Sequence, residues 1–192
     1  MKKAGLQLIL VFFSMLIICE QMSAQEKKET EKKSDEKKFE PKSTLSFVLS
    51  HAHVFDGRDA SGKKKLLTLP AIGIDYMYQF KPKWSIGLQT DIIIENFKVE
   101  KHLGTGEVIE RSKPVAPALM GMYKATEHWN FLFGAGAEFA KEENFFLNRF
   151  GIEYAAELPK EWEVFGTLSY DLKWKAYDTW VIGIGISKKL GK

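Results

Sequence analysis

Large apolar residues recur at every second position from Thr44 onward. Ile72, Ile74, Tyr76, Tyr78 and Phe80 share one parity, and Ala71, Gly73, Asp75, Met77 and Gln79 the other. Lys81-Pro82-Lys83 interrupts the run, and Trp84, Ile86, Leu88, Thr90, Ile92 and Ile94 resume it against Ser85, Gly87, Gln89, Asp91, Ile93 and Glu95. Trp129, Phe131 and Phe133 oppose Asn130, Leu132, Gly134, Gly136 and Glu138. Phe146, Phe150, Ile152 and Tyr154 oppose Arg149, Gly151 and Glu153, with polar Asn148 breaking the apolar set. Trp162, Val164, Leu168, Tyr170, Leu172 and Trp174 oppose Glu163, Thr167, Ser169, Asp171 and Lys173, and Trp180, Ile182, Ile184 and Ile186 close the series. A period of two marks a strand with one apolar face. Residues 46–55 alternate weakly, and Pro114 and Pro117 each remove a ladder donor from 114–124. Eight strands are expected, at 45–55, 68–80, 84–98, 108–124, 128–141, 145–157, 161–174 and 179–190. An even number of meandering strands can close on itself and leave no edge.

Parity alone does not say which face points outward. Three features point to the bulky face. The opposite face carries Gly73, Gly87, Gly134, Gly136, Gly151, Gly183 and Gly185 among charged residues, which suits the tight interior of a small barrel. Phe80, Trp84, Tyr123, Trp129 and Trp162 stand beside the tight turns, and Phe97, Phe145, Trp174, Tyr177 and Trp180 at the opposite strand ends. Two aromatic belts separated by aliphatics fit a lipid interface at each end. Finally, short turns at 81–83, 125–128 and 158–161 alternate with long connections at 56–67 and 98–113. Lipid offers no hydrogen-bond partner, so a chain that crosses it with strands must pair every backbone group by closing.

The first 43 residues follow a different pattern. Lys2 and Lys3 precede an apolar run from Leu8 to Cys19, and small residues follow at Ser23 and Ala24. This layout predicts a secretory signal peptide over 1–24, since the apolar run is too short to span a bilayer. Bulky Ile18 before Cys19 argues against lipid attachment at the cysteine. Residues 25–43, mostly lysine and acid with Phe39 as the one aromatic, predict a solvated, disordered tether. The domain reading is therefore a signal peptide, a charged tether and a barrel over 44–192.

Composition removes several classes. The net charge of +3 is spread evenly along the chain, which gives no footprint for nucleic acid. One cysteine excludes a disulfide scaffold. Beyond residue 25 no apolar run is long enough for a membrane helix. Aromatics make up 13% of the chain, with fourteen Phe and five Trp, as the belts require.

The inward set holds the candidate chemistry: Asp75, Gln89, Asp91, Glu95, Glu138, Arg149, Glu153, Glu163, Asp171 and Lys173. Acids outnumber bases, so one reading is a narrow cation-preferring pore. The favoured reading is a charge plug, with Arg149 paired to at least one of Glu138, Glu153 or Asp91, because buried charges must pair and the guanidinium fork suits carboxylates. His51 and His53 share a strand face, but spacing identifies no third ligand, so no metal site is expected. Ser50 and His51 are adjacent and so point to opposite faces, and His128 has no serine two residues on. A serine–histidine lipid-modifying site is not supported, and no catalytic residue or cofactor is expected. Arg58 and Lys63-Lys64-Lys65 could meet lipopolysaccharide phosphates if their connection lies outside the cell. Gly134-Ala135-Gly136 and Gly183-Ile184-Gly185 lie within strands and open no phosphate-binding helix.

This pattern resembles the small eight-stranded outer-membrane β-barrel proteins of Gram-negative bacteria, the porin-like OmpA/OmpX-type group. The resemblance covers about residues 44–192 and rests on architecture. It implies an all-β, antiparallel up-and-down transmembrane barrel, exported to the outer membrane, in contact with outer-membrane lipid and lipopolysaccharide and inserted by the barrel-assembly machinery. A monomer is expected. The final strand alternates from Trp180 to Ile186, but the chain ends Lys188-Lys189-Leu190-Gly191-Lys192, without the terminal aromatic usual in that group. The leading functional expectation is a non-enzymatic barrel with an envelope-structural or surface-contact role. Its rivals are a narrow pore, a lipid-modifying enzyme and a soluble carrier of apolar ligands. The lumen residues expected to matter are Asp75, Gln89, Asp91, Glu138, Arg149, Glu153, Glu163 and Asp171. The girdle is expected to contain Phe80, Trp84, Tyr123, Trp129, Trp162, Trp174 and Trp180.

Overall fold

A computed structural model describes residues 39–59, 62–100, 106–174 and 176–191. The expected signal peptide, most of the expected tether, and His102 of the expected loop at 98–113 lie outside the described residues. The described chain forms ten strands: β1 (Lys42–Arg58), β2 (Lys64–Lys81), β3 (Trp84–Ile93), β4 (Phe97–Glu100), β5 (Val108–Arg111), β6 (Val115–Lys124), β7 (Trp129–Glu138), β8 (Phe145–Leu158), β9 (Trp162–Lys173) and β10 (Thr179–Leu190). Eight of them form the wall, in the order β1-β2-β3-β6-β7-β8-β9-β10, and β1 pairs with β10 to close it. That closing seam runs antiparallel from Ser43 opposite Leu190 to Val54 opposite Thr179. Closure pairs the backbone all round the wall and leaves the described sheet no edge there.

The alternation decides which side chains face in. Along β1, Ser46, Val48, Ser50, Ala52 and Val54 are buried, while Leu45, Phe47, Leu49 and Phe55 are exposed. On β10, Ile184 is 68% exposed and Ser187 only 1%. The bulky parity is therefore outside on every stave. Some inward glycines make room for neighbours. Gly185 pairs with Phe165, whose ring occupies the space a glycine side chain would need: an added Cβ would lie 2.3 Å from Phe165 Cζ.

One end of the barrel carries tight connections. Gln79 Nε2 donates to Pro82 O at 2.9 Å across the β2–β3 turn. Thr126 Oγ1 accepts from the backbone N–H of His128 and Trp129 before β7. A single 3-10 turn, Pro159–Glu161, joins β8 to β9. Lys160 and Glu161 both take positive φ there, 62° and 63°.

The opposite end departs from expectation in four ways. The long connection expected at 56–67 is mostly strand, because β1 continues to Arg58 and β2 already starts at Lys64. A short turn remains, in which Asp59 Oδ1 accepts from Lys63 N at 2.9 Å and Gly62 takes φ of 80°. The two strands expected at 84–98 and 108–124 are each broken. Pro114 supplies no N–H and Lys113 has φ of 44°, so the wall strands stop and the segment between them turns away. There β4 and β5 pair with each other. β4 also pairs with β1, Val99 opposite Gly57 and Lys98 opposite Arg58, along the stretch of β1 above the last β10 pair. Third, the hairpin buries Phe97 and Val99 against Phe145, Ala176 and Tyr177. Phe97, Phe145 and Tyr177 thus belong to an apolar cap and not to the outer aromatic belt. Their parity at the strand ends is readable in the sequence, but not which way the chain bends beyond the wall. Fourth, Glu95 is exposed at the bend after β3, outside the lumen where alternation places it. At the start of the barrel, β1 begins at Lys42, slightly before the expected boundary at Thr44.

Candidate functional site

The lumen is filled by side chains in three tiers. The middle tier centres on Arg149 of β8. Its Nε and Nη2 donate to Asp171 Oδ1 and Oδ2 of β9 at 2.7 and 2.8 Å, a two-pronged pair between residues directly opposite in the ladder. Nη1 lies 2.7 Å from Asp91 Oδ2 of β3, in a contact that is electrostatic without good hydrogen-bond alignment. Two staves, β7 and β6, separate β8 from β3 in the wall, so this ion pair crosses the lumen. Asp91 is the partner expected for Arg149. Asp171 is a second one outside the expected set, and Glu138 and Glu153 bond elsewhere. Asp75 accepts from Thr90 N at 3.3 Å. Gln89 lines the void beside Arg149.

The upper tier is built round Glu138 at the end of β7. Arg111 of β5 donates to Glu138 Oε1 through Nε (3.1 Å) and Nη2 (2.5 Å), and through Nη1 to Glu143 O at 2.5 Å. The Tyr177 hydroxyl also donates to Glu138. Lys173 lies 3.3 Å from Glu138 Oε2 and donates to Thr179 at 2.7 Å. Cations also lie over rings: Arg111 over Phe145 at 4.6 Å and Lys173 over Tyr177 at 4.5 Å. Tyr177 meets Phe97 and Phe145 edge-on. Arg58 and Glu100 pair at 2.5 Å between β1 and the β4 end of the cap. Arg111 and Tyr177 are fully buried, and alternation gives no sign that either turns inward, because both lie beyond the regular wall.

The lower tier faces the tight turns. Asn130 Nδ2 donates to Glu153 Oε1 at 2.8 Å. Lys189 bridges Glu157 and Glu163 at 2.5 and 3.5 Å, and Ser187 Oγ donates to Glu163. Between tiers, apolar groups complete the filling: Met77, Ala116, Ala118, Met120, Leu132 and Leu147 in one cluster, and Val48, Ala155 and Phe165 in another. A void of about 20 Å³ adjoins Asp75, Gln89, Asp91 and Arg149, and another of about 10 Å³ adjoins Asp91, Glu138, Asp171 and Lys173. Each has space for about one water.

Outside, the expected girdle residues all lie on the surface. Trp84 packs tilted on Tyr123 at 4.9 Å and Tyr170 on Trp180 at 4.7 Å, while Trp129 meets Tyr154 edge-on at 5.1 Å. Lys188 lies 5.3 Å over Trp162, and Phe80 is exposed beside its turn. Asn148, the polar break in the outer face, accepts from Trp174 Nε1 at 2.8 Å. His51 and His53 are on this outer face and not in the lumen. Ser50 points inward, away from His51, and His128 Nδ1 contacts Ala155 O. Of the basic residues near the open end, Arg58 pairs with Glu100 and Lys64 with Asp56. No group of three or more His, Cys, Asp or Glu side chains able to hold a metal is found among the described residues.

No family model matches this chain, and no curated protein does. Solved structures do. The attachment invasion locus protein Ail of Yersinia pestis aligns at 15% identity over 78% of this chain and 99% of its own, with a TM-score of 0.46. Neisserial surface protein A aligns at 11% identity over 77% and 97%, with a TM-score of 0.45. A de novo designed transmembrane β-barrel aligns at 11% identity over 78% and 95%, with a TM-score of 0.43.

Proposed function

We propose that this chain is a non-enzymatic outer-membrane barrel with a sealed lumen, serving envelope integrity or surface contact. The observation that carries the reading is the reversal of ordinary burial. The wall turns its Leu, Ile, Val and Phe side chains outward in a continuous band with aromatic rings towards both ends, and keeps its charges inside. In water such a band would be a large aggregation surface. Against hydrocarbon each Leu or Ile gains about 1.5–3 kcal/mol from leaving water. A soluble carrier would need the opposite arrangement, and the voids beside the ion pairs, about 20 and 10 Å³ and lined by charged groups, are too small for an apolar guest.

The same tiers weigh against a pore, since ions would have to pass both the Arg149 crossing and the cap. A channel reading predicts stepwise conductance in planar bilayers, and the sealed reading predicts none. Steady single-channel currents from the purified chain would overturn it. Membrane fractionation with heat-modifiable gel mobility tests the location. On the outer surface, Lys63 and Lys65 remain the candidate contacts for lipopolysaccharide phosphates once Arg58 and Lys64 are engaged by acids. Lys63→Gln with Lys65→Gln is expected to reduce co-purified lipopolysaccharide, and an unchanged amount counts against that partner. Insertion by the barrel-assembly machinery is part of the same proposal.

A further inference from the structure

The histidines of β1 are not used by the sealed lumen, and their placement outside it gives them separate chemistry. His51 and His53 stand two residues apart on one strand, so their Cα atoms are about 7 Å apart and their side chains leave the same face. Both are accessible from outside the wall. His53 pairs across the ladder with Thr68 on one side and Trp180 on the other. Its Nδ1 lies 3.1 Å from Thr68 Oγ1. With Nδ1–H donating to the Thr68 hydroxyl, the ring is oriented and Nε2 keeps its lone pair for a ligand, as when a metal-binding imidazole donates its other N–H to an oxygen acceptor. Trp180 stacks with Tyr170 in the aromatic belt, so His53 sits near the level where the barrel surface passes from hydrocarbon to water, and His51, opposite Ile182 and Pro70, lies one ladder step towards the apolar band.

We propose that His51 and His53 form a two-imidazole chelate for a late first-row divalent transition ion, with copper(II) bound most tightly. Neutral imidazole suits these ions, and copper(II) stands highest in the divalent series. Its preferred tetragonal plane is completed by water, since no third protein ligand is positioned there among the described residues. Binding adds the ion to two nitrogen lone pairs and displaces water, with no redox step. The site is independent of whether the lumen conducts.

Trp180 provides the readout, because paramagnetic copper(II) quenches a nearby indole. The experiment uses the full chain folded in detergent micelles, with His102→Gln and His128→Gln in the background, leaving His51 and His53 of the four histidines. Copper(II) chloride is titrated against tryptophan emission, and electron paramagnetic resonance counts the bound nitrogens. Saturable quenching is expected, lost on Trp180→Phe, with a two-imidazole signal. His51→Ala or His53→Ala is expected to weaken binding by more than tenfold, and Thr68→Val by about tenfold through release of the ring. These side chains face outward, so heat-modifiable mobility confirms that each variant still folds. Quenching and nitrogen signal unchanged in the His51→Ala/His53→Ala double variant would overturn the proposal.

Discussion

Replacing Arg149 by Met removes the charge that holds three strands together through the lumen while keeping an unbranched stem. Arg149 is 1% exposed, its partner Asp171 4% and Asp91 19%. Their contacts all lie between 2.7 and 2.8 Å, and the adjoining void has room for about one water, too little to replace all the lost bonds. The substitution therefore strands two carboxylates in a filled interior. Removing one partner of a buried pair costs about 3–5 kcal/mol. The bidentate Asp171 contact places Arg149→Met within that range, and the partly wetted Asp91 keeps it from exceeding it. Urea unfolding from lipid vesicles, followed by tryptophan emission, reads the loss. At a slope of about 2 kcal/mol per molar urea, the midpoint should fall by about 2 M. Adding Asp91→Asn and Asp171→Asn removes the stranded charges and should recover at least half of the shift. A loss below about 0.5 kcal/mol for Arg149→Met, the size of an ordinary surface change, would refute the reasoning, as would a triple variant no more stable than the single one.

Two further outcomes follow from the cap and from the glycine lining. Tyr177→Phe keeps the edge-on ring contacts but removes the hydroxyl that donates to Glu138, so unfolding free energy should drop by about 1.5–3 kcal/mol, measured by the same urea series; a neutral result would mean the hydroxyl contributes nothing at that carboxylate. Gly185→Val drives a side chain into the Phe165 ring and should cost about 1–3 kcal/mol by overpacking, relieved when Phe165→Leu is combined with it; unfolding midpoints of the single and double variants check this.

Much of the wall is legible in the residue pattern. Alternation marks eight staves and their two faces because a closed barrel gives every second residue one environment. Hairpin counting extends this further. The Pro159–Glu161 turn centres a hairpin in which Leu158 faces Trp162 and, counting outward, Arg149 faces Asp171. That register follows from the turn alone, so Asp171 is within reach of sequence reasoning as a partner. The Arg149–Asp91 pair is not fixed by any such count, because two intervening staves separate its residues and only closure brings them together. The cap is hidden for a different reason. Phe97 ends an expected strand while Val99 and Glu100 fall in what reads as a connection, and an aromatic at a strand end looks the same whether it turns to lipid or folds inward. Arg111 follows from neither parity nor hairpin counting. A hint lies in Glu138, an inward carboxylate at the open end whose neighbours on the wall offer only Lys173 as a cation among the described residues.

The central claim is that hydrocarbon touches the bulky parity. Spin labels on single cysteines, in a background with Cys19→Ser, test it through collisions with oxygen, which partitions into lipid, and with a water-soluble nickel chelate, in chain reconstituted in vesicles. Labels at Leu49 and Ile184 should show high oxygen and low nickel access, and a label at lumenal Ser50 should show little of either. Strong nickel access at 49 and 184, with oxygen access confined to 50, would contradict the account.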